Sequence, residues 1–143
     1  MKIAVASDHA GFDLKKKMII HLKKKGFDVV DLGSDSAESS DYPDFAHPLA
    51  MAVEQKDCDL GISMCGSGNG INIAANKHAG IRSALCWRED IARLAREHNN
   101  ANICALPARF LTEEEAFAIV DAFLQSEFLG GRHKRRIDKI PIK

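Results

Sequence analysis

Short apolar runs alternate with longer amphipathic segments along the whole of this chain. Residues 2–7 form the first run, continuous enough to read as a buried strand and ended at once by Asp8 and His9. Leu14, Met18 and Leu22 then recur at helical spacing as far as Gly26, a helix stop, with Lys15, Lys16, Lys17, Lys23, Lys24 and Lys25 expected on the wet face. A second strand is predicted over 27–32, closed by Gly33 and a polar loop over 34–41. The next helix starts near Pro43, or slightly later with His47 as cap and Pro48 in its first turn, and ends near Lys56. Residues 60–64 make a third strand, followed by the glycine-rich segment 66–70 and a helix through about Lys77. Residues 81–85 give a fourth strand. Ile91, Leu94, Ala95 and His98 mark one helical face, 102–106 a fifth strand, and Ala116, Ile119, Val120 and Phe123 another helix.

Strands that alternate with helices imply a parallel sheet, because right-handed crossovers place helices on each side of it. The expected fold is therefore α/β: a three-layer, doubly wound, Rossmann/flavodoxin-like five-stranded parallel sheet with helices on both faces. No repeat or linker divides it, so residues 1–143 are read as one domain with a basic carboxy-terminal helix or arm at about 130–143. In such sheets ligands bind beyond the carboxyl ends of the strands, at the topological switch point. For a flavodoxin-like order that point lies between strands one and three, where Asp8-His9 and residues 65–70 meet.

Composition narrows the function classes. An apolar fraction of 45% and a charged fraction of 28% are those of a globular protein. No apolar run approaches the ~20 residues of a bilayer span, and the first residues do not resemble a signal peptide, so a cytoplasmic location is expected. Cys58, Cys65, Cys86 and Cys104 form no CxxC pair and no zinc-like spacing; free thiols are expected, with no bound metal. Net charge is zero, but Arg132, Lys134, Arg135, Arg136, Lys139 and Lys143 crowd the last stretch against Asp138 alone. One short basic segment suits a small anionic ligand better than nucleic acid or a membrane.

Several residues have the chemistry for such a ligand. Cys65 follows a buried strand and precedes glycines that lead into a helix, a setting in which amides and the positive helix end favour a thiolate; a buried structural cysteine is the alternative. The structural reading is assigned to Cys58, Cys86 and Cys104. The loop Gly66-Ser67-Gly68-Asn69-Gly70 can bring amides close to a phosphate or an enediolate, or can simply be a tight turn. It is neither a Walker loop nor a dinucleotide fingerprint, since Ile71 stands where the third glycine belongs. His98 is either a core histidine or an imidazole that moves a proton near neutral pH. His21, His47 and His78 read as surface or capping residues. Arg109, Arg132 and Arg136 offer paired donors to a phosphate, the last two on one helical face, unless they belong to a solvated tail.

Together these segments resemble the ribose-5-phosphate isomerase B family, which includes galactose-6-phosphate isomerase subunits. The resemblance runs through Ser7-Asp8-His9-Ala10-Gly11, Asp41-Tyr42-Pro43, Cys65-Gly66-Ser67-Gly68-Asn69-Gly70, Ala74-Ala75-Asn76-Lys77, Arg96-Glu97-His98-Asn99-Asn100 and Arg132-His133-Lys134-Arg135-Arg136, in the family's order. It implies an aldose-ketose isomerase acting on ribose 5-phosphate and ribulose 5-phosphate without any cofactor. Cys65 would be the base, Ser67 would assist proton transfer, and His98 would open the furanose ring. The amides of Gly66, Gly68, Asn69 and Gly70, with Asn99, would stabilise a cis-enediolate. Asp8 and Tyr42 would contact the sugar; His9, Arg109, Arg132 and Arg136 would hold the phosphate. Family members use a cysteine at position 65 or a glutamate at position 71 as base, and Ile71 makes this the thiolate type. The resemblance also implies a homodimer or homotetramer with shared active sites. The alternatives are an isomerase of a six-carbon phosphate such as allose or galactose 6-phosphate, and a non-catalytic sugar-phosphate-binding module; a nicotinamide-dependent enzyme is disfavoured by the loop mismatch.

Overall fold

The computed structural model describes residues 1–142; Lys143, counted above in the basic tail, lies outside the described residues. Five parallel strands form one sheet: β1 (Lys2–Ser7), β2 (Asp28–Asp31), β3 (Leu60–Cys65), β4 (Ser83–Leu85) and β5 (Ile103–Pro107). The helices are α1 (Phe12–Lys24), α2 (Pro43–Glu54), α3 (Asn69–Ala75), α4 (Glu89–Asn99), α5 (Glu113–Gln125) and α6 (Arg132–Ile137). The period-two alternation of β1 and β3 divides the core. Ile3, Val5, Ile62 and Met64 pack under α1, α4 and α5, while Ala4, Ala6 and Cys65 point to the side covered by α2 and α3.

The strand order is β2-β1-β3-β5-β4, which corrects the flavodoxin-like expectation at one edge. The physical reason is burial: all of Ile-Cys-Ala-Leu-Pro in β5 is buried, as a central strand requires, whereas the short Ser-Ala-Leu of β4 is half-buried throughout. This order places two switch points side by side. The chain leaves β1 and β5 toward the α1/α4/α5 face and leaves β3 toward the α2/α3 face, so the carboxyl end of β3 is flanked by a crevice on each side.

Element boundaries also move in from the sequence expectations. Cys65 is the last residue of β3 and does not follow it. α3 ends at Ala75 because Asn76 turns its side chain onto β4, its amide donating to the Ser83 carbonyl and its oxygen accepting from the Ser83 N–H. Ile81 donates to His78 in a turn, so β4 begins only at Ser83. α2 starts at Pro43 and runs through Pro48. Lys15 is not on a wet face: it is 1% exposed, and its ammonium donates to Asp31 at 2.6 Å and to the Ser34 carbonyl at 2.8 Å. His21 is likewise more than a surface residue, stacking on Phe117 and meeting Asp121 at 2.8 Å to tie α1 to α5.

Candidate active site

The carboxyl end of β3 organises the first half of the site. Cys65, 4% exposed, packs among Ala46, Ile71, Ala74 and Ala105. Beyond it the chain must turn sharply over the β3/β5 junction. Gly68 does this with φ +76°, and a Cβ there would lie 2.5 Å from the Leu85 side chain and 3.0 Å from the Leu106 carbonyl carbon, so only glycine fits. The Ser67 hydroxyl accepts from the Asn69 N–H at 3.3 Å and from its side-chain amide at 3.2 Å, which shapes the exposed tip of the loop. The other cysteines keep their structural role. Burial pushes the Cys58 thiol up, and Cys104, hydrogen-bonded to Cys86 and buried, is held well above the usual thiol range.

Three neighbouring segments close around this loop. Asp8 follows β1, donates its N–H to the Met64 carbonyl, and accepts the Ala10 and Gly11 N–H groups on Oδ1 at 2.9 and 3.3 Å. That side chain caps the short 3-10 turn His9–Gly11, which leads into α1, and its Oδ2 has no hydrogen bond among the described residues. His9 follows, its ring nitrogen Nδ1 accepting from the Ser40 N–H. Arg109, in the turn after β5, donates its N–H to the Gly66 carbonyl at 3.0 Å, and its guanidinium covers Gly66, Nη1 standing 3.1 Å from where a Cβ would be. The Tyr42 ring lies against Gly70 so closely that a Cβ there would be 2.6 Å from Cζ. Asp8, His9, Tyr42, Cys65, Gly66, Ser67, Gly68, Asn69, Gly70 and Arg109 thus form one cluster across the ends of β1, β3 and β5.

His98, Asn99, Arg132 and Arg136 do not join it within the chain. α4 runs back toward the amino ends of the strands, where Arg82, just before β4, forks onto the Asn99 and Asn100 carbonyls at 2.9 and 3.0 Å. The Asn102 carbonyl accepts the Gly61 N–H, and Gly61 pairs with Ile103 while Cys65 pairs with Pro107. From the Gly61 level to the Cys65 level is about 13 Å of strand at ~3.3 Å per residue. Near Asn99 a hollow of about 410 Å³ opens beside Arg82, Ser83 and Ile140. α6 packs on α4: Leu129 donates to the Glu97 carbonyl, and the His98 and His133 rings stack 4.1 Å apart at 11°. Partial burial pushes the His133 imidazole down, helped by His98, Arg132 and Arg136. His98 is therefore half-buried in a cationic cluster rather than part of the hydrophobic core. Ser40, Arg82 and His133 were missed by sequence reasoning. Ser40 had no signal inside a polar loop, whereas His133 sits between the two arginines that were singled out.

A model of the ribose/galactose isomerase family matches residues 3–140. The chain belongs to that family. Within the ribose/galactose isomerases it is 52% identical over 140 residues to a probable ribose-5-phosphate isomerase B of Mycoplasma genitalium, covering 96% of this chain and 92% of the relative. It is 45% identical to ribose-5-phosphate isomerase B of Escherichia coli, over 97% and 93% of the two chains. Among solved structures, ribose-5-phosphate isomerase B of Clostridium thermocellum superposes with a TM-score of 0.97 at 51% identity, covering 98% and 95% of the chains. The Mycoplasma genitalium enzyme with bound ribulose-5-phosphate gives 0.93 at 52% identity, covering 97% and 93%. No helix among the described residues is long and apolar enough to cross a membrane, and no group of three or more His, Cys, Asp or Glu among them could hold a metal ion.

Proposed function

We propose that this chain interconverts ribose 5-phosphate and ribulose 5-phosphate with Cys65 as the base. The observation that carries the reading is Cys65 at the carboxyl end of β3, with the glycine loop 66–70 leading on from it and the Arg109 guanidinium over Gly66. The relatives named ribose-5-phosphate isomerase B, and the one that binds ribulose-5-phosphate, supply the substrate.

His98 opens the furanose ring, and Asp8, with Oδ2 available, and Tyr42 position the open-chain sugar. The Cys65 thiolate takes the proton from C2; the C2–H electrons form the C1–C2 double bond, and the aldehyde oxygen becomes an oxyanion. The amides of Gly66, Gly68, Asn69 and Gly70 and the Asn99 side chain stabilise that enediolate, the role of preorganised donors. Ser67 moves the hydroxyl proton between the two oxygens, and the Cys65 thiol returns a proton to C1. The substrate is its own oxidant and reductant, so the atoms balance with no cofactor. His9, Arg109, Arg132 and Arg136 hold the phosphate.

Groups that act on one small sugar phosphate must each stand within hydrogen-bond reach of the atom they serve, roughly 3 Å. Because ~13 Å of strand separates the two halves, a second copy of the chain provides His98, Asn99, Arg132 and Arg136 to the Cys65 of the first. Cys65→Ala tests the chemistry. It is expected to bind ribose 5-phosphate yet lose both isomerisation and exchange of the substrate's C2 hydrogen with solvent. Undiminished exchange in that variant sinks the reading. Comparing kcat/KM for ribose 5-phosphate, allose 6-phosphate and galactose 6-phosphate checks the choice of a pentose.

A further inference from the structure

We propose that Ser40 is a positioning residue that holds the His9 imidazole as a neutral Nε2–H donor toward the substrate phosphate. The proposal rests on the reading of His9 as a phosphate contact given above.

Ser40 and His9 are 31 positions apart and make a reciprocal pair: the His9 N–H donates to the Ser40 hydroxyl at 3.1 Å, and the Ser40 N–H donates to His9 Nδ1 at 3.2 Å. A ring nitrogen that accepts from an amide must present a lone pair, so the imidazole proton resides on Nε2. A second proton on Nδ1 would set two N–H groups against each other. The free end of the ring is then an N–H with no acceptor among the described residues, on a turn that packs beside the turn carrying Arg109.

The loop that presents Ser40 is fixed at both ends, so the contact has a defined geometry. At its start, Ser7 donates to the Gly33 carbonyl at 2.7 Å, Ser34 donates to the Ser7 carbonyl at 2.8 Å, and the buried Lys15 ammonium donates to the Ser34 carbonyl. At its end, Tyr42 leads into α2 with its ring on Gly70. The guanidinium groups already supply positive charge for the phosphate. What a neutral imidazole adds is one directional donor whose aim is set from behind, as the outer partner of a metal-bound histidine sets its ring.

Nitrogen-15 correlation spectra of the histidine side chains, with His9→Gln to assign the His9 signals, read the tautomer directly. The wild-type protein is expected to give the Nε2–H pattern at neutral pH. Ser40→Pro, which lacks the N–H, is expected to give a mixed or inverted pattern and a KM for ribose 5-phosphate raised about tenfold, with kcat within about twofold. Ser40→Ala, which lacks only the hydroxyl acceptor, is expected to raise KM severalfold, and Ser40→Thr to restore it. A folded Ser40→Pro protein with the wild-type tautomer pattern and unchanged KM overturns the proposal. Should that variant fail to fold, equal KM values for Ser40→Ala and Ser40→Thr overturn it instead. His9→Ala separates the two layers: an unchanged KM there removes the phosphate reading, while the tautomer pattern in the Ser40 variants still decides whether Ser40 sets the ring.

Discussion

Burial at single positions decides which polar residues matter. Lys15 is nearly sealed while its partner Asp31 is half-exposed, with side-chain exposures of 2% and 47%, so the two are not equivalent. Lys15→Met strands the buried Ser34 carbonyl, and a lost partner of that kind costs about 1–3 kcal/mol. Asp31→Asn keeps a hydrogen-bonding group but leaves the sealed ammonium without its counter-charge, and is expected to cost at least as much, up to about 3–5 kcal/mol. Urea unfolding of the two variants measures the difference. The His133 imidazole, pushed down by partial burial and then by His98, Arg132 and Arg136, is expected to titrate below an ordinary histidine in proton NMR. His98→Ala should move its midpoint back up. Since its folded value lies below the unfolded one, the unfolded chain binds the proton more readily. The associated stability is present above the ordinary histidine range and is lost as pH falls toward the folded value. Cys65, His98 and the arginines stood out in the sequence as candidates because their side chains carry distinctive chemistry. Lys15 and Ser40 were not: a lysine in a helical cluster of lysines and a serine among serines take their roles from contacts that no local pattern encodes.

At the level of elements, strands and helices followed from periodicity, but strand order did not. The all-apolar β5 and the short β4 preceded by Arg82 held a hint of which was central, yet a short apolar run does not by itself say whether its strand lies at the edge of a sheet or one place in. The glycine loop was legible as a loop, whereas the task of each glycine was not. At Gly68 φ is positive and an added Cβ would lie 2.5 Å from Leu85 and 3.0 Å from Leu106, whereas at Gly66 an added Cβ would meet only the far end of the Arg109 side chain, at 3.1 Å. Gly68→Ala is therefore expected to strain the turn by about 1–2 kcal/mol and to displace the residues that follow Cys65, lowering both the denaturation midpoint and kcat. Gly66→Ala is expected to leave the midpoint nearly unchanged and to raise KM by pushing the guanidinium aside. Equal loss of stability in the two variants contradicts this division of labour.

For the whole molecule, the sheet itself acts as a spacer. Parallel strands send every strand-to-helix loop to one end and every helix-to-strand loop to the other, so Cys65, which closes a strand, and Asn99, which closes the helix before one, are held apart by the length of β5. Loop rearrangement cannot join them without unpairing the central strand, and α6 carries Arg132 and Arg136 along with α4 through the His98–His133 stack. On the proposed reading a complete site therefore draws on two chains, each giving one end of its sheet to the other. Mixing provides the decisive measurement. Cys65→Ala and Arg136→Ala are each expected to be inactive alone, because every site in either homodimer lacks one group. In subunits exchanged at equal concentration, half of the dimers are mixed and one of the two sites in each draws both intact groups, so activity should return to about a quarter of the wild-type value. If both halves came from a single chain, each mixed dimer would carry one mutant group in each of its sites, and activity would stay at the level of the separate variants.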